Sequence, residues 1–240
     1  MKILDDILTT LRRGESVLDV RQGPFQTAVL TGGCGLAATP HDMADHQHNP
    51  PVKSAGVLVG WDALGVAGLA YSTSQFEVAI GLATINSLLE VDEERCREVN
   101  ARDLLLERGS GKLVALVGHF PFVEELKKEA KKLWVLERRL REGDFPETEA
   151  EKLLSRAEVV GISGTAFTNH TIESLLGYCK GDAYMMIMGG TTPLSPVLFD
   201  YGVDAVAGVR VVDPEAVLRA VSQGATFRQI QGVRLLTMTK

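Results

Sequence analysis

Apolar positions near the start of the chain fall at Leu4, Ile7, Leu8 and Leu11, the spacing of one helical face, and Gly14 follows as a stop. Short apolar runs at 16–20, 27–31, 56–60 and 66–71 are parted by Gly and Pro and read as strands. A second helix is expected from Ser74. Ser74 and Glu77 have the spacing of a capping box, and Val78, Leu82, Ile85 and Leu89 mark the buried face. Residues 1–91 thus read as a small α+β domain. Residues 92–111 read as a polar, helical connector ending at Gly109-Ser110-Gly111.

From residue 112 the pattern alternates. Strand-like runs at 113–117, 133–136, 159–162, 184–188, 204–207 and 233–238 are separated by helical stretches at 123–131, 147–157, 171–179, 196–201 and 214–222. Ser195-Pro196 and Asp213-Pro214 each place a capping residue before Pro at the first helical position. Short, nearly all-apolar strands with helices between them predict a doubly wound, mostly parallel, Rossmann-like sheet over 112–240. The fold class expected is α/β, preceded by the small domain. Ligands on such sheets lie beyond the carboxyl ends of the strands.

Composition narrows the function. Hydrophobic residues at 45% and charged residues at 23% are globular values. A net charge of −6 argues against non-specific nucleic-acid binding, and 6% aromatics argue against a base-stacking platform. Three scattered cysteines, Cys34, Cys96 and Cys179, fit a reducing compartment. Asp5 and Asp6 stand where a signal peptide would be apolar, and Asp62 interrupts the longest apolar stretch. The expectation is a cytoplasmic protein without a membrane span.

The loops after the predicted strands carry the chemistry. The first is Gly118-His119-Phe120-Pro121, which lacks the glycines of a dinucleotide fingerprint. His119 is the candidate acid or base, its alternative being a hydrogen bond to a neighbouring loop. Glu137 follows Gly118 by 19 residues, the spacing of a ribose-binding acid, its alternative being a solvated charge beside Arg138. After the third strand, Thr165, Asn169 and Thr171 gather hydroxyls and an amide at a helix start. After the fourth, Gly190, Thr191, Thr192 and Pro193 combine close backbone approach with two hydroxyls, although a tight strand-to-helix turn needs little more than that. Gly109-Ser110-Gly111-Lys112 is not a phosphate loop, because it precedes its strand and Leu113 stands where Ser or Thr should be.

His41, His46 and His48 crowd one short segment with Asp42 and Asp45, and Cys34 lies seven residues upstream of His41. Imidazole and thiolate are ligands for zinc, copper or nickel, so these four residues are the candidate transition-metal set. The alternative is a solvated loop. Cys34 sits among glycines and is expected to be exposed, whereas Cys96 and Cys179 read as buried.

Four stretches together resemble one family: FEVAIGLATINSLL at 76–89, KLVALVGHFP at 112–121, GISGTAFTNHT at 161–171 and GGTTPLSPVLFDYGVDAVAG at 189–208. The chain resembles the uncharacterised heavy-metal chelation family, whose members couple a domain like the amino-terminal domain of enolase to a Rossmann-like domain. The resemblance covers nearly the whole chain. It implies a ligand cleft at the junction of the domains and a role with pterin, flavin or siderophore-like molecules, or with chelated metals. Carried onto this sequence, the family's loops fall on Gly118, His119, Phe120 and Pro121, on Thr165, Asn169 and Thr171, and on Gly190, Thr191, Thr192 and Pro193. The histidine segment matches no motif of the family.

The leading expectation is a polar or anionic organic ligand, or its metal chelate, bound in the interdomain cleft. The alternatives are a non-catalytic metal-binding protein using 41–48 and an S-adenosylmethionine-dependent transferase using Glu137. The Gly-rich small domain would offer the surface for a homodimer.

Overall fold

Two sheets organise the chain, which is a computed structural model describing residues 1–40 and 50–240. The first is an antiparallel meander of β1 (Asp19–Gln22), β2 (Gln26–Leu30) and β3 (Cys34–Ala38). Helix α1 (Lys2–Thr9) buries Ile3, Leu4 and Ile7, the face that the spacing predicts. Helix α2 (Ala63–Ala67) and a 3-10 turn over Gly68–Tyr71 come next. Helix α3 (Gln75–Leu88) lies across β3 and β2 on one side and against α2 and that turn on the other. It is buried nearly all round, so its apolar residues are not confined to one stripe.

Two expectations are corrected here. The apolar runs at 56–60 and 66–71 are not strands. The Asp62 carboxylate accepts the Gly65 N–H at 2.8 Å and caps α2, so a short apolar run that periodicity cannot classify becomes helix. The capping box at Ser74 does not form either. The Ser74 hydroxyl donates to the Pro51 carbonyl, and Glu77 accepts the Lys53 N–H at 2.9 Å and the Ser72 hydroxyl. Both side chains fasten neighbouring loops instead of the helix start.

The second sheet has seven strands: β4 (Cys96–Arg97), β5 (Leu113–Val117), β6 (Lys132–Leu136), β7 (Val159–Ser163), β8 (Tyr184–Met188), β9 (Ala205–Val211) and β10 (Val233–Thr239). Their order is β4-β10-β9-β8-β7-β5-β6. The strands from β6 to β9 are parallel, while β10 runs antiparallel to β9 and β4 antiparallel to β10. This is the α/β, mostly parallel sheet read from the sequence. The stretch 92–111 differs from its helical reading. Cys96 and Arg97 pair with Met238 and Thr237 as an edge strand, and only α4 (Ala101–Gly109) is helical beyond a short 3-10 turn.

Helices cover both faces. Helices α4 and α5 (Val123–Glu129) flank a cluster with Leu116, Val135 and Met186. Helices α6 (Ala150–Leu154), α7 (Thr165–Thr168) and α8 (Ile172–Tyr178) lie in the larger cluster with Trp134, Ile162 and Ile187. That cluster continues through Phe167 into Leu82 and Ile85 of α3, so one core joins the two sheets. Helix α9 (Pro214–Ser222) is capped as its sequence predicts, the Asp213 carboxylate accepting the Ala216 N–H at 3.0 Å. The chain passes from β5 outward to β6 and then back across to β7. The sheet therefore reverses its winding between β5 and β7, where a crevice opens beyond the strand ends.

Candidate functional site

The crevice faces the end of the three-stranded sheet. A cavity of about 330 Å³ opens beside Gly118 after β5, Glu137 after β6, and Ser163 and Thr165 after β7; Asn169 and Thr171 also line it. A second cavity of about 600 Å³ shares Glu137, Arg138, Thr165 and Asn169 with it and reaches Ala38 and Thr39 at the end of β3 and Gln75 of α3. Together they form a cleft between the two sheets.

Gly118 owes its place to backbone geometry. Its φ is +99°, and a Cβ there would stand 2.9 Å from the Ser163 Cβ. Only glycine lets the ends of β5 and β7 approach this closely. The Ser163 and Thr165 hydroxyls are 2.9 Å apart, and the Asn169 side-chain oxygen accepts from Gln75 Nε2 at 3.2 Å across the cleft. Thr168 lines the larger cavity with a buried hydroxyl that has no hydrogen-bond partner among the described residues.

The wall opposite is cationic. Arg138, Arg139 and Arg141 line the larger cavity from the loop after β6. Glu137 folds back on that loop and accepts the Arg138 N–H at 2.8 Å. Arg138 also reaches Glu147 at 3.0 Å, an exposed pair that screening leaves weak. These arginines and Thr168 escape a sequence reading. A charged run reads as a solvated face, and only the cavity shows what it borders.

His119 is not among the residues lining either cavity. Its Nδ1 lies 3.0 Å from Arg141 Nη1 and its Nε2 lies 4.0 Å from the Asp144 carboxylate. A guanidinium only donates, so Nδ1 accepts and the ring proton sits on Nε2. His119 thus makes the hydrogen bond to a neighbouring loop that was its alternative, and it steadies Arg141.

The other expected site residues disperse. Phe120 and Pro121 line a separate cavity on the other side of their loop. Thr191 is 2% exposed, and its hydroxyl accepts the Ala38 N–H at 2.9 Å, so it ties the two sheets together. Thr192 is buried beside Gly164 with its hydroxyl unpartnered among the described residues, and Pro193 is buried. Gly190 makes room for a ring, since a Cβ there would stand 2.8 Å from Phe227.

The metal set fares differently. His41, His46 and His48 lie outside the described residues. Cys34 is buried in an apolar cluster, not exposed, because β3 packs that side of the sheet against α9 and its neighbours. Burial pushes its thiol up to about 12, which keeps it protonated at neutral pH. Among the described residues no group of three or more His, Cys, Asp and Glu could hold a metal ion. No helix among them is long and apolar enough to cross a membrane.

Comparison with known proteins bears on the whole chain. Two family profiles, each described as "Putative heavy-metal chelation", match residues 100–240 and residues 4–89. An uncharacterised protein of Methanocaldococcus jannaschii is 29% identical over 157 residues, spanning 62% of this chain and 61% of that protein. The crystal structure of a protein of unknown function from the DUF364 family of Desulfitobacterium hafniense superposes with a TM-score of 0.86 at 25% identity, covering 100% of this chain and 98% of the other. A second DUF364 protein of unknown function, from Pyrococcus horikoshii, superposes at 0.82 with 20% identity over the same shares, a likeness of fold.

Proposed function

The chain belongs to the family described as "Putative heavy-metal chelation", and from that premise we propose that it binds a polyanionic organic molecule, free or as a metal chelate, in the cleft between its two sheets. One observation carries this reading. Arg138, Arg139 and Arg141 line a cavity of about 600 Å³ together with Thr165, Thr168 and Asn169, in a chain whose net charge is −6. Arginine matches carboxylate and phosphate oxygens through paired N–H donors, and hydroxyls and amides complete their hydrogen bonding.

A bare cation does not fit these residues, because guanidinium groups repel it and the described part of the cleft offers no ligand cluster. A metal already wrapped by carboxylates or hydroxamates presents the opposite sign at its surface. In this reading the metal is cargo, and Thr165 and Asn169 hold the chelator. His119 keeps Arg141 aimed at it and needs no proton transfer to do so.

Calorimetric titration with iron(III) citrate, with citrate alone and with zinc sulfate tests the reading. The expected outcome is saturable binding of the citrate species, weakened about tenfold or more by Arg138→Ala with Arg141→Ala. No saturation by either citrate species, or an affinity unchanged in the double variant, overturns it.

A transferase reading has one observation in its favour. Glu137 after β6 and Gly118 after β5 line the same cavity, the relative placement of a ribose-binding acid and the first turn of a nucleotide site. Titration with S-adenosylmethionine decides it, and absence of heat at millimolar concentration retires it.

A further inference from the structure

The cavity that receives Phe120 and Pro121 shares no lining residue with the cleft. It encloses about 430 Å³, within the usual range for a small-molecule site. Its floor is sheet. The register pairs Val209 with Leu235 and Ala207 with Thr237, which puts all four on one face. Its walls are aromatic. Phe120 and Phe122 stack with ring centres 5.4 Å apart, and Phe227 joins the lining, seated against side-chain-free Gly190.

Two features make this more than a crease in the fold. Apolar surface stands open at its lip, with Leu235 50% exposed and Val99 41% exposed. Covering such surface is favourable. The charges at the rim are also unequally used. Arg102 is engaged by Asp103 and Glu125, whereas Arg228, which also lines the cavity, makes no ion pair or hydrogen bond among the described residues. A spare cation beside an aromatic-walled slot is complementary to one kind of molecule.

We propose that this cavity is a second binding site, for a flat aromatic or heteroaromatic acid whose rings lie against the phenylalanines and whose anionic group meets Arg228. The floor is small at Ala207, which leaves depth for fused rings, and ring stacking against phenylalanine favours planar ligands over branched aliphatic ones.

The probe is 8-anilinonaphthalene-1-sulfonate, followed by its fluorescence with the native protein, with 2-naphthoate as competitor. Saturable one-to-one binding is expected, displaced by 2-naphthoate. Arg228→Glu should weaken it about tenfold. Leu235→Trp, which fills the mouth from an exposed position, should remove it. The titration with iron(III) citrate should be the same in both variants, which separates this site from the cleft. Non-saturable fluorescence, or binding that survives Arg228→Glu unchanged, overturns the proposal. If Leu235→Trp disturbs the fold, Arg228→Glu, at an exposed position, still decides the matter.

Discussion

The Thr191 hydroxyl accepts the backbone N–H of Ala38 at 2.9 Å, joining the loop after β8 to the end of β3 across 153 residues of sequence. Asn86 of α3 adds to the joint by donating to the Leu36 carbonyl at 2.8 Å and to the Thr191 carbonyl at 3.3 Å. The cleft has two sides because this joint holds the small sheet against the strand ends. Thr191→Val keeps the volume and removes the acceptor. It should lower unfolding stability by about 1–2 kcal/mol, the cost of leaving a partly buried N–H without a partner. Denaturant unfolding followed by fluorescence would measure this, and an unchanged midpoint would show that the joint carries no stability.

Its neighbour should behave in the opposite sense. Thr192 is 1% exposed and its hydroxyl has no partner among the described residues. Thr192→Val exchanges a buried, unsatisfied hydroxyl for a methyl of the same shape, so stability should hold or rise by up to about 2 kcal/mol. The two variants side by side in one denaturation series separate a hydroxyl that joins the sheets from one that is merely enclosed.

The contrast between these adjacent threonines shows where sequence reading stops. Both looked like ligand hydroxyls because they follow a strand end beside glycines, and their partners, or lack of them, come from residues far away in the chain. Strands β5, β7 and β8 were legible because burial on both faces writes them as unbroken apolar runs. The edge strand β4 was not, since two residues pairing with β10 leave no periodic trace. Ser74 and Glu77 had the right spacing for a capping box, and tertiary partners at Pro51 and Lys53 took their side chains. In the cleft, Gly118, Thr165, Asn169 and Thr171 came together as the strand-end rule implies. The arginine wall depended on how the loop after β6 folds, which no local pattern encodes.

Gly118→Ala tests whether the crevice needs its glycine. The substitution forces a side chain into left-handed φ and brings a Cβ to 2.9 Å from Ser163. Strain and clash together should cost about 1–3 kcal/mol. The damage should also reach the cleft, because the β5 and β7 ends move apart. Thermal unfolding together with the citrate titration would show both effects. A variant as stable as the parent would mean that the two strand ends can separate freely.

Desolvated thiols set an alkaline limit on stability. Burial pushes Cys34 and Cys179 up to about 12 from the ordinary 9.0 of a thiol. Tyr201 is likewise raised to about 12 from 10.0, by desolvation first and then by its hydrogen bond to the Asp6 carboxylate. Each group keeps its proton in the folded state at a pH where the unfolded chain releases it. The unfolded state then binds fewer protons, so stability is fully present below about pH 9 and declines as pH rises toward 12. Unfolding midpoints taken in steps from pH 8 to pH 11 should therefore fall, and Cys34→Ala with Cys179→Ala should flatten the slope. A parallel alkylation experiment has a clear order. Cys96, whose thiol burial and nearby carboxylates raise less far, should react with iodoacetamide in the native protein before Cys34 does. Equal rates for the two would mean that β3 opens to solvent as readily as the edge strand, and the alkaline decline would then lose its cause.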